Sequence, residues 1–247
     1  MSPSKNGELL SLPRSEIRRF GPGNVLAVCW RQWRAERHLA RRGICFRTTD
    51  PLEVAAAYAA MTPAEFDAIN GRQDWANWRT IPRSLSGRVP DRSLRVLDLG
   101  CGTGGSTRVL ACCCPLGSRI TGYELAEPLL EVARRRTFAH HSGSPVMVGF
   151  LCQPVTERLA EAEASVDVVN ASGVVGHHLT PTTVQPLVRE LQRVLRPGGL
   201  ALLDVGPTLS ARQLCVAMDP GGFTALARTR SWFGDPTGQV VFARKPS

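Results

Sequence analysis

Apolar positions along the chain change their period near residue 93. Upstream they recur at helical spacing. Leu26, Cys29, Trp30 and Trp33 stand at i, i+3, i+4 and i+7, which predicts an amphipathic helix over 25–42. Its apolar stripe is expected to dock on its own domain, with Arg31, Arg34, His38 and Arg41 off the stripe; a seat on a membrane surface or on RNA is the alternative. Two helix starts follow, Asp50-Pro51-Leu52-Glu53 and Thr62-Pro63-Ala64-Glu65. Each has a capping side chain, proline at the first helical position and glutamate at the third. They open helices over 51–61 and from 63 to about 70. Residues 71–79 are dense in polar and aromatic side chains, 84–92 read as a loop, and 1–24 read as a polar, flexible tail.

Downstream of residue 93, short apolar runs alternate with amphipathic stretches. Strands are expected over 94–99, Arg119–Glu124, 146–151, Val166–Ala171 and 200–205. Helices are expected from the first glycine turn to about 114, over 127–136 and over 180–195, the last ended by Pro197-Gly198-Gly199. Phe223–Thr229 and 239–244 read as a closing antiparallel pair. Such alternation predicts a doubly wound α/β fold, a mostly parallel sheet covered on both faces. The expected division is a tail (1–24), an N-terminal helical cap or lid (25–92) and a core (93–247).

Composition narrows the class. A chain of 247 residues with 43% hydrophobic side chains can bury a large core, which excludes wholesale disorder. No apolar run approaches the ~20 residues of a membrane span, and the charged first 20 residues carry no secretory h-region. Eight cysteines without a CxxC pair give no zinc-ribbon frame and favour a reducing cytoplasm. The net charge of +9 is concentrated in residues 1–50, which hold ten basic and four acidic side chains. A basic segment attracts the phosphates of nucleic acid or lipid heads, but a solvated basic helix face is the preferred reading.

The most informative stretch is Val96-Leu97-Asp98-Leu99-Gly100-Cys101-Gly102-Thr103-Gly104-Gly105, a strand running into a glycine turn that opens a helix. Read as Gly100-x-Gly102-x-x-Gly105 it matches a dinucleotide fingerprint; read as Asp98-x-Gly100-x-Gly102-x-Gly104 it matches an S-adenosylmethionine (SAM) fingerprint. Glu124, at the end of the second strand, serves either by accepting from ribose hydroxyls. Asp98 separates them. A carboxylate there repels a pyrophosphate and favours the ammonium and sulfonium of SAM.

Four blocks, VLDLGCGTGG (96–105), ITGYEL (120–125), SVDVVNASGVVGHHL (165–179) and LVRELQRVLRPGGLALLDVGP (187–207), resemble the class I SAM-dependent methyltransferase family. The resemblance implies a seven-stranded Rossmann-like methyltransferase fold with one antiparallel strand. It also implies SAM as methyl donor and S-adenosylhomocysteine as product. Carried over by position, Gly100, Cys101, Gly102 and Gly104 would cradle the methionine part, and Asp98 would meet its ammonium directly or through water. Glu124 would hold the ribose, Leu125 would lie against adenine, and Asn170 and Ala171 would line the methionine side with backbone carbonyls. The third-strand loop departs from the family pattern: where relatives have an acid for the adenine amino group, this chain offers Gln153.

Displacement at an already activated sulfonium needs no metal, only alignment and a deprotonated nucleophile. His177 and His178 follow the fourth strand and are the candidate bases, with His177 preferred; a packing role for the pair stands beside that reading. FDAINGRQDWANWRTIP (66–82) resembles the pre-core helix of ubiquinone and menaquinone C-methyltransferases, so Trp75, Trp78 and Arg79 are candidate lid or substrate contacts, or else core. The expected activity is methyl transfer to an O, N or C atom of a small-molecule acceptor. The alternatives are RNA or protein methylation through the basic N-terminal segment, and SAM binding without turnover.

Overall fold

The computed structural model describes residues 22–230 and 238–246. Four helices come first among the described residues: α1 (Pro22–Arg41), α2 (Pro51–Ala60), α3 (Pro63–Ile69) and α4 (Gly71–Leu85). The two proline starts behave as their sequences require. Asp50 accepts from the backbone N–H groups of Leu52 and Glu53. Thr62 and Glu65 form a reciprocal capping box that satisfies donors otherwise orphaned at a helix start. Leu39, Ala57, Met61 and Ile69 form a small core of their own among these helices.

The stripe on α1 points the opposite way from expectation. Gln32 and Leu39 are buried, whereas Leu26 and Trp30 are exposed. Periodicity identifies a face but not what covers it; here the polar Gln32 holds the inner side by accepting from Arg72 Nε at 3.0 Å. Residues 71–85, only partly described by the sequence pattern, form the single helix α4, which runs through Pro82 and includes residues expected to be loop. Of the expected tail, 22–24 belong to α1, and the rest lies outside the described residues.

The core comprises β1 (Arg95–Leu99), α5 (Gly105–Cys113), β2 (Arg119–Glu124), α6 (Glu127–Arg134), β3 (Met147–Cys152), β4 (Val166–Ala171) and α7 (Val175–His178). It continues through α8 (Gln185–Val194), β5 (Leu195–Val205), α9 (Ala211–Met218), β6 (Phe223–Thr229) and β7 (Gly238–Arg244). The seven strands lie in the order β3-β2-β1-β4-β5-β7-β6. The first five pair in parallel, and β7 runs antiparallel between β5 and β6, as the family resemblance implied.

One sheet face packs Leu97, Leu99, Val169 and Ala201 against α8 and α9; the other packs Val96, Ile120, Val168 and Leu202 against α4 and α5. This is the period-2 alternation of strands buried on both sides. Helix α8 starts at Gln185, five residues later than expected, because Thr180, Thr182 and Thr183 bond among themselves instead. Strand β5 begins at Leu195 and carries Pro197-Gly198-Gly199 in a register shift between Val166 and Val168 of β4. Helix α9 had no expectation; Ser210 and Gln213 cap it reciprocally.

Candidate functional site

The strand order reverses between β1 and β4, so the loops after these two strands part and leave a crevice at their C-terminal ends. The glycine turn forms its floor. Gly100 and Gly102 both have positive φ, 70° and 54°, which side-chain-bearing residues rarely adopt. A Cβ on Gly100 would overlap Val174, and one on Gly102 would overlap the ring of Phe66. The turn is thus a cradle whose width depends on bare backbone.

Asp98 lies at the end of β1 and is fully buried. Its Oδ2 accepts from Ser106 Oγ (2.7 Å) and Thr107 Oγ1 (2.6 Å), and its Oδ1 from Asn170 Nδ2 (2.8 Å). Burial raises its pKa against the pull of these three donors. Asp98 therefore fixes the first turn of α5 to β4, and its Oδ atoms are already engaged by the protein. The Asn170 side chain, which the sequence reading left aside in favour of its carbonyl, is the link. Its Oδ1 accepts from Gln239 Nε2 at 2.7 Å, and Gln239 in turn accepts from Ser84 of α4. Ala171 is fully buried beside it.

Glu124 ends β2 and is also buried. Its Oε2 accepts from Gly102 N–H (3.0 Å), and its Oε1 from Leu125 and Ala126 N–H (2.9 and 3.0 Å). Burial raises its pKa, the backbone donors oppose the rise, and Asp98 adds to it. Two buried carboxylates on adjacent strands make the crevice favourable to a cation. Leu125 is half-buried at the rim. Gln153 donates its Nε2 to the Arg158 carbonyl at 2.7 Å. Cys101 is buried, and its thiol pKa is driven up chiefly by burial, so it is a packing residue of the turn.

The cap covers this floor. Phe66 of α3 sits on Gly102, and Tyr58 of α2 packs edge-on against Phe66 with ring centroids 5.9 Å apart. Asp67 accepts from Thr103 Oγ1 at 2.5 Å, and Arg136 reaches both of them. Along α4, Gln73 approaches Gly173 and Asp74 approaches Gly105. None of Tyr58, Gln73 or Asp74 was singled out from sequence. Phe66 and Asp67 were quoted only within the pre-core block, and nothing there located them over Gly102 and Thr103.

Of the expected lid residues, Trp78 is 3% exposed and packs with Ile81, Leu85, Val109 and Leu110 in the core beneath α4. Trp75 is half-buried, with the Arg79 guanidinium 4.3 Å from its ring centroid. The side of α4 that meets the glycine turn is therefore the Gln73–Asp74 side. The three-residue spacing of the two tryptophans aligned them in sequence, but α5 lies on the Trp78 side.

The two histidines after β4 diverge. Asp204 accepts from the N–H groups of Val174, Val175 and Gly176 at 2.9–3.1 Å and so fixes the short helix α7 that carries both. His177 turns toward Gly206. His178 turns toward the cap: Nδ1 lies 3.1 Å from the Thr48 carbonyl and Nε2 2.9 Å from the Tyr58 hydroxyl. A carbonyl only accepts, so Nδ1 carries the hydrogen and Nε2 receives the hydroxyl of Tyr58. Burial lowers the His178 pKa, which keeps the ring neutral, and it raises that of Tyr58, which keeps the phenol protonated. His140 and His141 pair with ring centroids 3.8 Å apart, His140 buried and His141 against the Cys112 carbonyl.

A crevice at a strand-order reversal, floored by a glycine turn and flanked by two buried acids, defines a nucleotide-type cofactor domain of Rossmann-like architecture. Residues 96–199 match the family described as a methyltransferase domain. The matched segment, from β1 into β5, is less than half of the chain. The chain is 33% identical over 144 residues to the ubiquinone biosynthesis O-methyltransferase of Xanthomonas oryzae pv. oryzae; the match takes in 58% of this chain and 55% of that protein. The chain thus spans about half the length of the curated relatives it matches. The fold is shared with a chain in the complex between the Haloferax volcanii Trm112 methyltransferase activator and a methyltransferase (TM-score 0.59, 16% identity, 78% of this chain and 97% of that one). It is shared also with a TehB-like SAM-dependent methyltransferase from Corynebacterium glutamicum (TM-score 0.50, 16% identity, 86% and 98%).

Proposed function

We propose that this chain binds SAM across the C-terminal ends of β1, β2 and β4 and transfers its methyl group to a small-molecule acceptor, a hydroxyl compound in the first instance. The observation that carries the reading is the pair of buried acids, Asp98 and Glu124, on either side of a glycine turn with no room for a Cβ. When bound, SAM supplies a methyl group on a sulfonium already activated for displacement.

The chain's residues supply the rest. Glu124 and Asp98 give the crevice its negative potential; Glu124 is the ribose contact, and Asp98 acts on the ligand's ammonium through the groups it orders. Gly100, Cys101, Gly102 and Gly104 offer backbone, Asn170 and Ala171 offer carbonyls, Leu125 an apolar rim, and Gln153 an amide oxygen for adenine. Phe66 and Tyr58 keep water from the turn. His178 Nε2 is the proton acceptor best placed for catalysis. An acceptor hydroxyl gives its proton to the Tyr58 oxygen as Tyr58 passes its own to Nε2, and Thr48 stabilises the imidazolium through Nδ1–H. His178 therefore replaces His177 as the preferred base. Gln73 and Asp74 are proposed as the cap's substrate-side contacts, with Trp75 and Arg79 flanking them and Trp78 anchoring the helix.

The name of the curated relatives supports an O-linked small-molecule acceptor. No helix among the described residues is long and apolar enough to cross a membrane. The eight cysteines, free where the structure describes them, support a reducing cytoplasm as the compartment. Calorimetric titration with SAM and with NADH tests the cofactor. Heat with SAM that Glu124→Ala abolishes supports the reading; heat with NADH alone overturns it.

A further inference from the structure

The outward face of α1 carries Leu26, Trp30 and Trp33, which are 76%, 58% and 45% exposed. Trp30 and Trp33 stack with centroids 4.9 Å apart, and the Arg37 guanidinium lies 4.8 Å from the Trp33 ring centroid. At about 100° per residue, Leu26, Trp30, Trp33 and Arg37 share one sector of the helix, flanked by Arg34 and Arg41. These three arginines are exposed. The opposite sector, with Gln32, Ala35 and Leu39, attaches the helix to the cap. The acid of this helix, Glu36, is engaged by Gln32 and Arg47 and does not offset the arginines. A contiguous aromatic and aliphatic patch with a basic rim marks an interaction surface rather than scattered exposure.

We propose that this face of α1 seats in the headgroup region of an anionic membrane. The charge is complementary, and the chemistry is matched residue by residue. Indole rings partition to the interface, Leu26 reaches the acyl boundary, and guanidinium groups pair with lipid phosphates. The helix lies in the interface plane, since it is not apolar enough to span. A single-stranded RNA would use the tryptophan faces for base stacking, but these two stack on each other, and Leu26 has no role there. Helix α1 packs on α3 and α4, whose Phe66 and Asp74 meet the glycine turn. Seating α1 would therefore bring the cap to the bilayer and give a membrane-dissolved acceptor a route to the crevice; this consequence rests on the methyltransferase reading, whereas the seating does not.

Cosedimentation with phosphatidylcholine vesicles, with and without phosphatidylglycerol, tests it. The chain is expected to pellet with the anionic vesicles and to stay in solution with phosphatidylcholine alone. Trp30→Ser/Trp33→Ser is expected to weaken pelleting tenfold or more. Arg34→Glu/Arg41→Glu is expected to weaken it at least as much, since one arginine near an anionic surface is worth roughly fivefold. Both variants should keep the wild-type unfolding midpoint, which certifies the fold whether or not SAM binds. A wild type that ignores anionic vesicles, or a tryptophan variant that pellets equally, overturns the proposal. Retention on bulk transfer RNA without vesicle binding overturns it in favour of a nucleic-acid face.

Discussion

The glycine turn and the cap that covers it meet at one surface, yet they are built on different principles. The turn is backbone chemistry. Its residues are close in sequence, its conformations are positive-φ glycines, and its acids are held by neighbouring N–H and hydroxyl groups. The cap is side-chain chemistry. Phe66, Asp67, Tyr58 and Gln73 come from three helices and reach partners as far away as His178, 120 residues along the chain from Tyr58. The floor is over-determined by local bonds, whereas α1–α3 of the cap are attached by a small core and a few polar bridges, only α4 being packed into the main core. The floor is therefore expected to be rigid, and the cap to be the part that yields when ligands enter.

That contrast can be broken at the floor with the largest effect. Glu124→Ala removes a buried acid and orphans three backbone N–H groups. Affinity for SAM is expected to fall about 100-fold or more, on the order of 3 kcal/mol, as read by calorimetry. Wild-type affinity in that variant would remove Glu124 from the site. Next in size, Gly102→Ala forces a side chain into a positive-φ position and against Phe66. A loss of roughly 1–2 kcal/mol in denaturant unfolding is expected, and Phe66→Ala in the same chain should recover part of it. No recovery would mean that backbone strain alone sets the cost.

Tyr58→Phe tests the bridge between the two regions. It removes one buried hydrogen bond, so about 1 kcal/mol of stability is expected to be lost. If the proton route is right, kcat falls while KM for SAM stays level, and a structural role alone would not move the pH profile. The sign of the pH effect follows from His178. Burial lowers its pKa below the ordinary 6.5. Between 6.5 and that lower folded value the unfolded chain binds the extra proton, so stability rises with pH in this window and is lost on acidification through it. His178→Gln should flatten that slope in unfolding curves.

The smallest effect is expected at the cap surface. Glu65 is held down from 4.5 to about 2, first by the Thr62 backbone N–H and only secondarily by Arg42. Its contribution is present above pH 4.5 and is lost as pH falls toward 2. Arg42→Ala should therefore change stability by about 0.5 kcal/mol or less, while Thr62→Ala should cost about 1 kcal/mol through the lost cap. Equal costs would mean that the ion pair, not the capping box, holds α3.

Legibility divided along the same line. Strands β2 and β4 agree with expectation residue for residue. The placement of Asp98, Glu124 and the glycines at strand ends and in the turn was legible because each is set by its own segment, although Asp98 and Glu124 also bond to distant residues. Trp78 and Trp30 were not, since a hydrophobic stripe names a face and is silent on the element that meets it. The first is core because α5 lies beneath it; the second faces outward because α1 attaches through Gln32 and Leu39 instead.

By itself, the sequence determined the alternating α/β core, the caps of α2 and α3, the glycine turn and its two acids. All of these rest on interactions within a few residues or on strict periodicity. Only the tertiary structure decided that Asn170 locks Asp98, that Phe66 covers Gly102, and that His178 rather than His177 faces a proton partner. Those choices rest on contacts between segments distant in the chain. Their distances and orientations depend on the packing of whole helices, which no local pattern of residue types encodes.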